Sequence, residues 1–435
     1  MIVRGYGSAW ACLALGVVCS AQARAQNVGE SLVAPDLPLQ YDRGRNESVL
    51  DRPRPEYEAL GLRLGSFTLF PRLDSEVGFS DNVYAVKSPR TSDGYVAFAP
   101  RATLSNNDIR YSLDVSAGYA GRRYFSESQR DENTWFAGAN GRFDANSSLS
   151  LSARLRASRA VEPRTSAAVP LTASEPVQYR QNEAGATINF TGGKTRGQLT
   201  FDYNGFTFAS VRTFAGTVLD QSSRNRDVYR GGGRGEISIS ADTSVFVQLG
   251  YEKSDYRTPL ALGVPNRTSE QLRALVGASF DVTSLIRGAL SAGYVRRSYN
   301  AAIYPDISGW AAEGRIQYFV SPLTTVTLNL RRTVEDASFQ DTSGFFATSA
   351  NLRADHELLR NLLLYAQAGY EIDTYQGRGA TVPDVKVWRL GAGARYFMNR
   401  TIGIGVSYAH DSRTSNAVAN AYTENRGLIS LILQR

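Results

Sequence analysis

The chain has 435 residues, 42% of them hydrophobic, and a mean hydropathy of −0.28, and no apolar run after residue 25 approaches the ~18 to 20 residues of a membrane-spanning helix. Both cysteines, Cys12 and Cys19, fall before that point, which excludes a thiol nucleophile, a zinc–thiolate centre or a disulfide framework from the remainder. The balance is basic, with 48 Lys and Arg against 41 Asp and Glu, but only Lys87, Lys194, Lys253 and Lys386 are lysines, and the arginines are dispersed among acids instead of clustered, which argues against nucleic acid as a partner.

The first residues, "MIVRGYGSAWACLALGVVCSAQARAQ", have the order of an export signal: Arg4 as a short basic region, Ala9 to Ala21 as the apolar segment, and Ala23-Arg24-Ala25 as a cleavage site. Residues 1–25 are therefore read as a signal peptide. Residues 26–63 are rich in proline and charge with no sustained period, and read as an extended periplasmic arm.

From Phe67 the pattern changes. Phe67, Leu69, Pro71, Leu73, Val77 and Phe79 alternate with Thr68, Arg72, Asp74, Glu76 and Ser80, a strand period sustained for more than twice the usual ~5 to 6 residues. Later segments repeat it, with Tyr111, Leu113, Val115, Ala117 and Tyr119 on one face, then Leu149, Leu151, Ala153 and Leu155, and at the end Ile402, Ile404, Val406 and Tyr408. About eighteen such strands (16 to 18) can be marked. Tight-turn pairs, Asn106–Asn107, Asn146–Ser147, Gly192–Gly193, Ala241–Asp242, Thr283–Ser284, Ser321–Pro322, Arg360–Asn361 and Asn399–Arg400, alternate with longer polar stretches such as 160–177, 210–224, 258–267 and 411–421.

Short turns at one rim, long loops at the other and strands long enough to cross a bilayer predict an all-β fold. It is a transmembrane antiparallel up-and-down barrel over 64–435, with both termini periplasmic, set in outer-membrane lipid. Gly-Tyr pairs such as Gly250–Tyr251 and Gly293–Tyr294 mark the interface at the long loops, and aromatics that precede short turns, Phe143, Phe190, Phe280, Tyr318, Phe319, Tyr396 and Phe397, are expected to form the second girdle.

In "RPRPEYEALGLRLGSFTLFPRLDSEVGFSDNVYA", residues 52–85, the chain resembles a family of outer-membrane barrel porins often encoded beside bacterial exopolysaccharide export genes. The likeness rests on Arg52, Arg54, Tyr57, Gly61, Arg63, Gly65, Ser66, Phe67, Pro71 and Asp81–Tyr84. The resemblance implies a passive conduit, serving a secreted polysaccharide together with a periplasmic export protein. On that reading Arg52, Arg54 and Tyr57 in the arm are the partner-binding candidates.

Alternation assigns Arg110, Asp114, Arg122, Arg154, Arg156, Arg234, Glu236, Glu252, Arg273, Glu313, Arg315, Arg331, Arg353, Glu371 and Arg395 to the inner face, where they line a hydrated channel, brace its wall by Arg–carboxylate pairing, or both. No cofactor, metal or catalytic residue is assigned. Gly231–Gly233 lacks the Lys-Ser/Thr of a phosphate loop. Some barrels are enzymes with an outward Ser-His-Asn or Asp-His set at the rim, and His410-Asp411 is the nearest match. Neighbours in a strand face opposite sides, so the pair is read as rim polar residues. Other readings of the whole are a general porin for small hydrophilic solutes, a rim hydrolase, and a structural barrel without transport.

Overall fold

The computed structural model describes residues 46–164, 166, 169–336, 342–377, 384–416 and 421–435. The expected signal peptide and the start of the arm lie outside the described residues.

The strands, in chain order, are β1 (Leu62–Leu64), β2 (Phe67–Ser80), β3 (Asp93–Asn107), β4 (Tyr111–Tyr124), β5 (Glu132–Asp144), β6 (Leu149–Val161), β7 (Gln178–Gly192) and β8 (Thr195–Phe208). A two-strand loop hairpin follows, β9 (Val211–Arg212) and β10 (Val218–Leu219). The wall resumes with β11 (Arg226–Ser238), β12 (Thr243–Tyr256), β13 (Ser269–Val282), β14 (Ile286–Tyr299), β15 (Ile307–Ser321) and β16 (Thr324–Asp336). It is completed by β17 (Thr342–Leu359), β18 (Leu362–Gly377), β19 (Asp384–Phe397), β20 (Ile402–Ser415) and β21 (Tyr422–Gln434).

Each long strand pairs antiparallel with its sequence neighbour, β11 pairs with β8, and β21 pairs back onto β2, so the sheet closes as an 18-strand antiparallel barrel. Closure removes the unpaired edge that lipid would not tolerate. The turn pairs read from the sequence all connect long strands at one rim; the long loops lie at the other. The turn rim is the periplasmic side by the general asymmetry of such barrels.

The seam where the ring closes has its own device. β21 pairs with β2 only from Arg72 to Ser80, and below it β1 takes over, with Leu62 opposite Leu69 and Leu64 opposite Phe67. The Arg435 N–H donates to the Pro71 carbonyl (3.2 Å) where the two meet. The return from β1 to β2 turns on Gly65 at φ +63°, a conformation in which a Cβ would be strained.

Candidate functional site

Alternation divides the wall into two faces. Val115, Leu155, Leu249, Tyr294, Trp388 and Val406 stand exposed on the outside, as a lipid-facing surface requires. Asp114, Arg122, Arg154, Arg156, Arg234, Glu236, Glu252, Arg273, Glu313, Arg315, Arg331, Arg353, Glu371 and Arg395 occupy strand positions of the opposite parity, toward the lumen. Arg110 sits in the β3–β4 turn instead. Two aromatics expected in the second girdle also face inward and are buried: Phe319, under the Arg287 guanidinium (5.1 Å), and Phe397. Phe143, Phe190, Tyr318 and Tyr396 are exposed outside.

Most of the lumenal arginines hold a carboxylate. Arg122 donates to Glu132 (3.0 Å), Arg154 to Asp202 (2.8 Å), Arg234 to Glu236 (2.9 Å), Arg353 to Asp355 (2.7 Å), and Arg273 pairs with Glu313. Glu252 accepts from both Arg230 (2.5 Å) and Arg297 (2.8 Å), and Glu371 from Arg389 (3.1 Å). Arg230, Arg297 and Arg389 were not among the residues singled out from the sequence, although the same alternation marks them. The Arg154–Asp202 pair crosses a whole strand. It passes over Gly185 of β7, where a Cβ would lie 2.6 Å from the Asp202 carboxylate and 2.9 Å from Arg154 Nε.

The wall does not remain a simple cylinder near the loop rim. The β15–β16 ladder ends at Ala312 opposite Arg332, although β15 continues to Ile307 and β16 to Asp336. Beyond that point β16 and β17 stay paired with each other and lie inside the lumen against the inner face of β13–β15. Val334 and Phe346 pack there on Leu275, Val295, Ile307 and Ala311, and the Tyr299 hydroxyl donates to the Ser343 carbonyl (2.9 Å). Arg332 closes the outer side of the split, over the rings of Trp310 and Phe346 (4.5 Å each). The fold-in carries Asp336 to Arg297 of β14 and to Arg226 of β11 (3.7 Å), which itself lies over Phe206 (4.9 Å) and Tyr256 (5.6 Å).

The loops fill the same mouth from the other side. Val169, Ala173, Val177 and Val211 pack on the inward rings of Tyr179, Phe206 and Phe208. Arg224 ties the loop after β8 to buried Glu162 of the loop after β6 (2.9 Å) and stacks on Phe208 (4.1 Å). Phe214 reaches Tyr84 in the loop after β2 (5.0 Å), and Arg164 donates to the Tyr84 carbonyl (2.8 Å). Burial pushes the Arg164 guanidinium down to about 10, with Arg130 adding like-charge repulsion.

At the turn rim, residues 46–60 are engaged by the barrel itself. Asn46 donates to the Ser284 carbonyl, the Val49 N–H to Thr325 Oγ1 (3.1 Å), and Arg360, Arg400 and Gln434 donate to the carbonyls of Pro53, Pro55 and Tyr57. Arg52 and Arg54, expected to meet a partner, pair with Glu357 (3.2 and 2.8 Å), and Tyr57 stacks on Phe397 (6.1 Å). Burial drives the Arg54 guanidinium below its ordinary value, against the pull of Glu357. The sequence reads this segment as a free extended arm because proline and charge suppress periodicity; the structure shows it docked, with Arg52 and Arg54 answered by Glu357.

The two histidines separate. His356 Nδ1 lies 2.9 Å from Thr324 Oγ1 beside a short turn. His410 is near the loop rim on the outer face, bonded to Asn425 (2.8 Å), while Asp411 faces inward and takes a hydrogen bond from Arg426 (2.5 Å).

Residues 54–435 match the family model described as "Putative beta-barrel porin 2". The chain belongs to this family. As a member it is a porin-type barrel of the outer membrane, which accounts for its lipid-facing exterior and charged interior. No curated protein matches it in sequence. Among solved structures it is similar to OpdK of Pseudomonas aeruginosa (12% identity, 84% of this chain and 99% of that one, TM-score 0.43). It is also similar to OccK2 (OpdF) of the same organism (12%, 85% and 98%, 0.47) and OccAB2 of Acinetobacter baumannii (10%, 86% and 99%, 0.45). At these values the likeness carries nothing about solute or mechanism.

Proposed function

We propose that this porin is a passive channel of restricted bore for small hydrophilic solutes. The observation that carries the reading is the fold-in of β16 and β17, which brings Asp336 against Arg226 and Arg297 within a lumen whose wall carries many Arg–carboxylate pairs. Barrels of this strand number leave an aqueous channel unless something enters it. Here the hairpin and the loops enter at one end and residues 46–60 lie along the rim at the other. Charge rings at such a narrowing select by sign and size.

Export of a polysaccharide needs passage for a polymer chain, and it stands as the competing reading. Planar-bilayer conductance and swelling of protein-loaded liposomes in sugars of graded size separate the two. The expected result is steady conductance, swelling in monosaccharides and none in long oligosaccharides. Entry of long oligosaccharides would favour the conduit. Absence of conductance from a correctly folded sample would leave a structural barrel.

A further inference from the structure

On the lipid face near the loop rim, β20 and β21 bring together chemistry that conduction does not use. His410 and Asn425 are directly opposite in register. Asn425 Nδ2 donates to Asp81 Oδ2 (2.6 Å) and its backbone N–H to Asp81 Oδ1 (2.7 Å), so the carboxylate fixes which way the amide points. Oδ1 is thereby turned to His410 Nδ1 (2.8 Å) and to the Tyr408 hydroxyl (2.7 Å). An amide oxygen accepts and cannot donate, so His410 meets it with an Nδ1–H, and in the neutral imidazole the free base is then Nε2. Ser412 follows two residues later, on the same outer face and opposite exposed Trp388. Among the described residues, neither His410 Nε2 nor Ser412 Oγ is engaged by another protein group.

A base oriented by an amide, that amide oriented by a carboxylate, and an unengaged hydroxyl beside the base are the parts of an acyl-transfer site. Trp388 sits against Tyr370 (4.3 Å) at this height, the kind of aromatic pair that marks the headgroup layer, where the ester bonds of membrane lipids lie. Lys386, exposed on the same face and in register with Thr414, offers a cation to an anionic headgroup.

We propose that Ser412 and His410 form a second, hydrolytic site on the outside of the barrel, with carboxylic esters of membrane lipids as substrate class and Asn425 as the positioning residue. Ser412 Oγ attacks the ester carbonyl carbon as its proton passes to His410 Nε2. The tetrahedral adduct expels the alcohol, which leaves with that proton, and an acyl-serine remains. Water then gives a proton to Nε2 and attacks the acyl carbon; the fatty acid departs and the proton returns to Ser412. One ester bond and one water are consumed, and no cofactor takes part. The Ser412–His410 hydrogen bond is not made in the resting structure. Two strand residues rise only ~6.6 Å, and in this proposal the Ser412 hydroxyl rotates toward Nε2 on lipid binding while Asn425 keeps the ring in place.

The test uses the full barrel in detergent with mixed micelles of phosphatidylcholine, and a fluorophosphonate probe. The wild type is expected to release fatty acid and to take the label at Ser412. Ser412→Ala and His410→Ala should fall to background in both assays while heat-modifiable migration and bilayer conductance stay at wild-type values. Asn425→Ala should lower kcat with KM little changed and alter its pH profile, and Asn425→Asp should restore part of the rate. A folded, conducting wild type that neither labels nor releases fatty acid overturns the proposal, as does release that persists in Ser412→Ala.

Discussion

At the turn rim one extended segment, residues 46–60, runs past successive hairpins and is held largely by backbone carbonyls and by Glu357. At the loop rim, loops and strand ends from distant parts of the chain meet through side chains: Tyr84 with Phe214, Arg224 with Glu162, Asp336 with Arg226. The first arrangement ties hairpins that the strand ladders already fix, so its loss is felt locally along the rim. The second holds together parts that no ladder joins, so its loss is felt by whatever passes through the mouth. The difference teaches that the turn rim reinforces ladders already closed, whereas on the proposed channel reading the loop rim sets what passes.

The largest effect expected from breaking this comparison is at the turn rim. Glu357 faces Arg52, Arg54 and Arg360, and Arg54 is itself buried. Glu357→Ala leaves that guanidinium buried without its carboxylate, a situation that typically costs about 3 to 5 kcal/mol. Residues 46–60 should detach, seen as new protease cleavage there and a lowered unfolding temperature. Arg54→Ala should cost less, because Arg52 and Arg360 still neutralise Glu357. Equal losses would show that the segment is held by its backbone contacts alone.

Next in size is the loop rim. Glu162→Ala removes the carboxylate from Arg224, which keeps its stacking on Phe208. A lost charge-assisted hydrogen bond of this kind is worth roughly 1.5 to 3 kcal/mol. The loops after β6 and β8 should loosen, raising single-channel noise and loop proteolysis, while barrel unfolding stays near wild type because the strand ladders are untouched. A large fall in barrel stability would mean that the loops and wall unfold as one unit.

How much of this was legible follows from which forces act locally. Turn residues and the alternation of strands such as β4 and β6 depend on neighbours in sequence, so strand faces, hairpins and closure could be read directly. The overlap of β16 and β17 could not, because Val334 and Phe346 keep the alternation of a lipid-facing strand and differ only in what they meet: Leu275 and Val295 instead of lipid. Phe397 escapes the sequence for a similar reason; a ring before a short turn looks the same whether its neighbour is lipid or Tyr57. The amide that orients His410 lies on the next strand, in a register that only the closed sheet sets, so the sequence pointed to adjacent Asp411 and missed Asn425.

The smallest effect concerns pH at the loop rim. Asp306 in the β14–β15 loop accepts from Arg296 (3.1 Å), from the Ser298 hydroxyl (3.1 Å) and from the Tyr299 N–H (3.2 Å), and these bonds, the Arg296 one foremost, hold its carboxyl below the usual range. A carboxyl depressed in the folded state stabilises that state at pH above its unfolded value of about 3.9, and the contribution is lost as pH falls through the lower folded value. The loop should thus be indifferent to pH from neutrality down to mild acid and loosen only below about 4. The pair is exposed and screened by salt, so the change should be confined to the loop. Hydrogen exchange at the Tyr299 amide followed against pH gives the readout, with Asp306→Asn as the comparison: the variant should exchange faster at neutral pH and lose the acid transition. A transition that survives in the variant would place its origin in another carboxylate of the mouth.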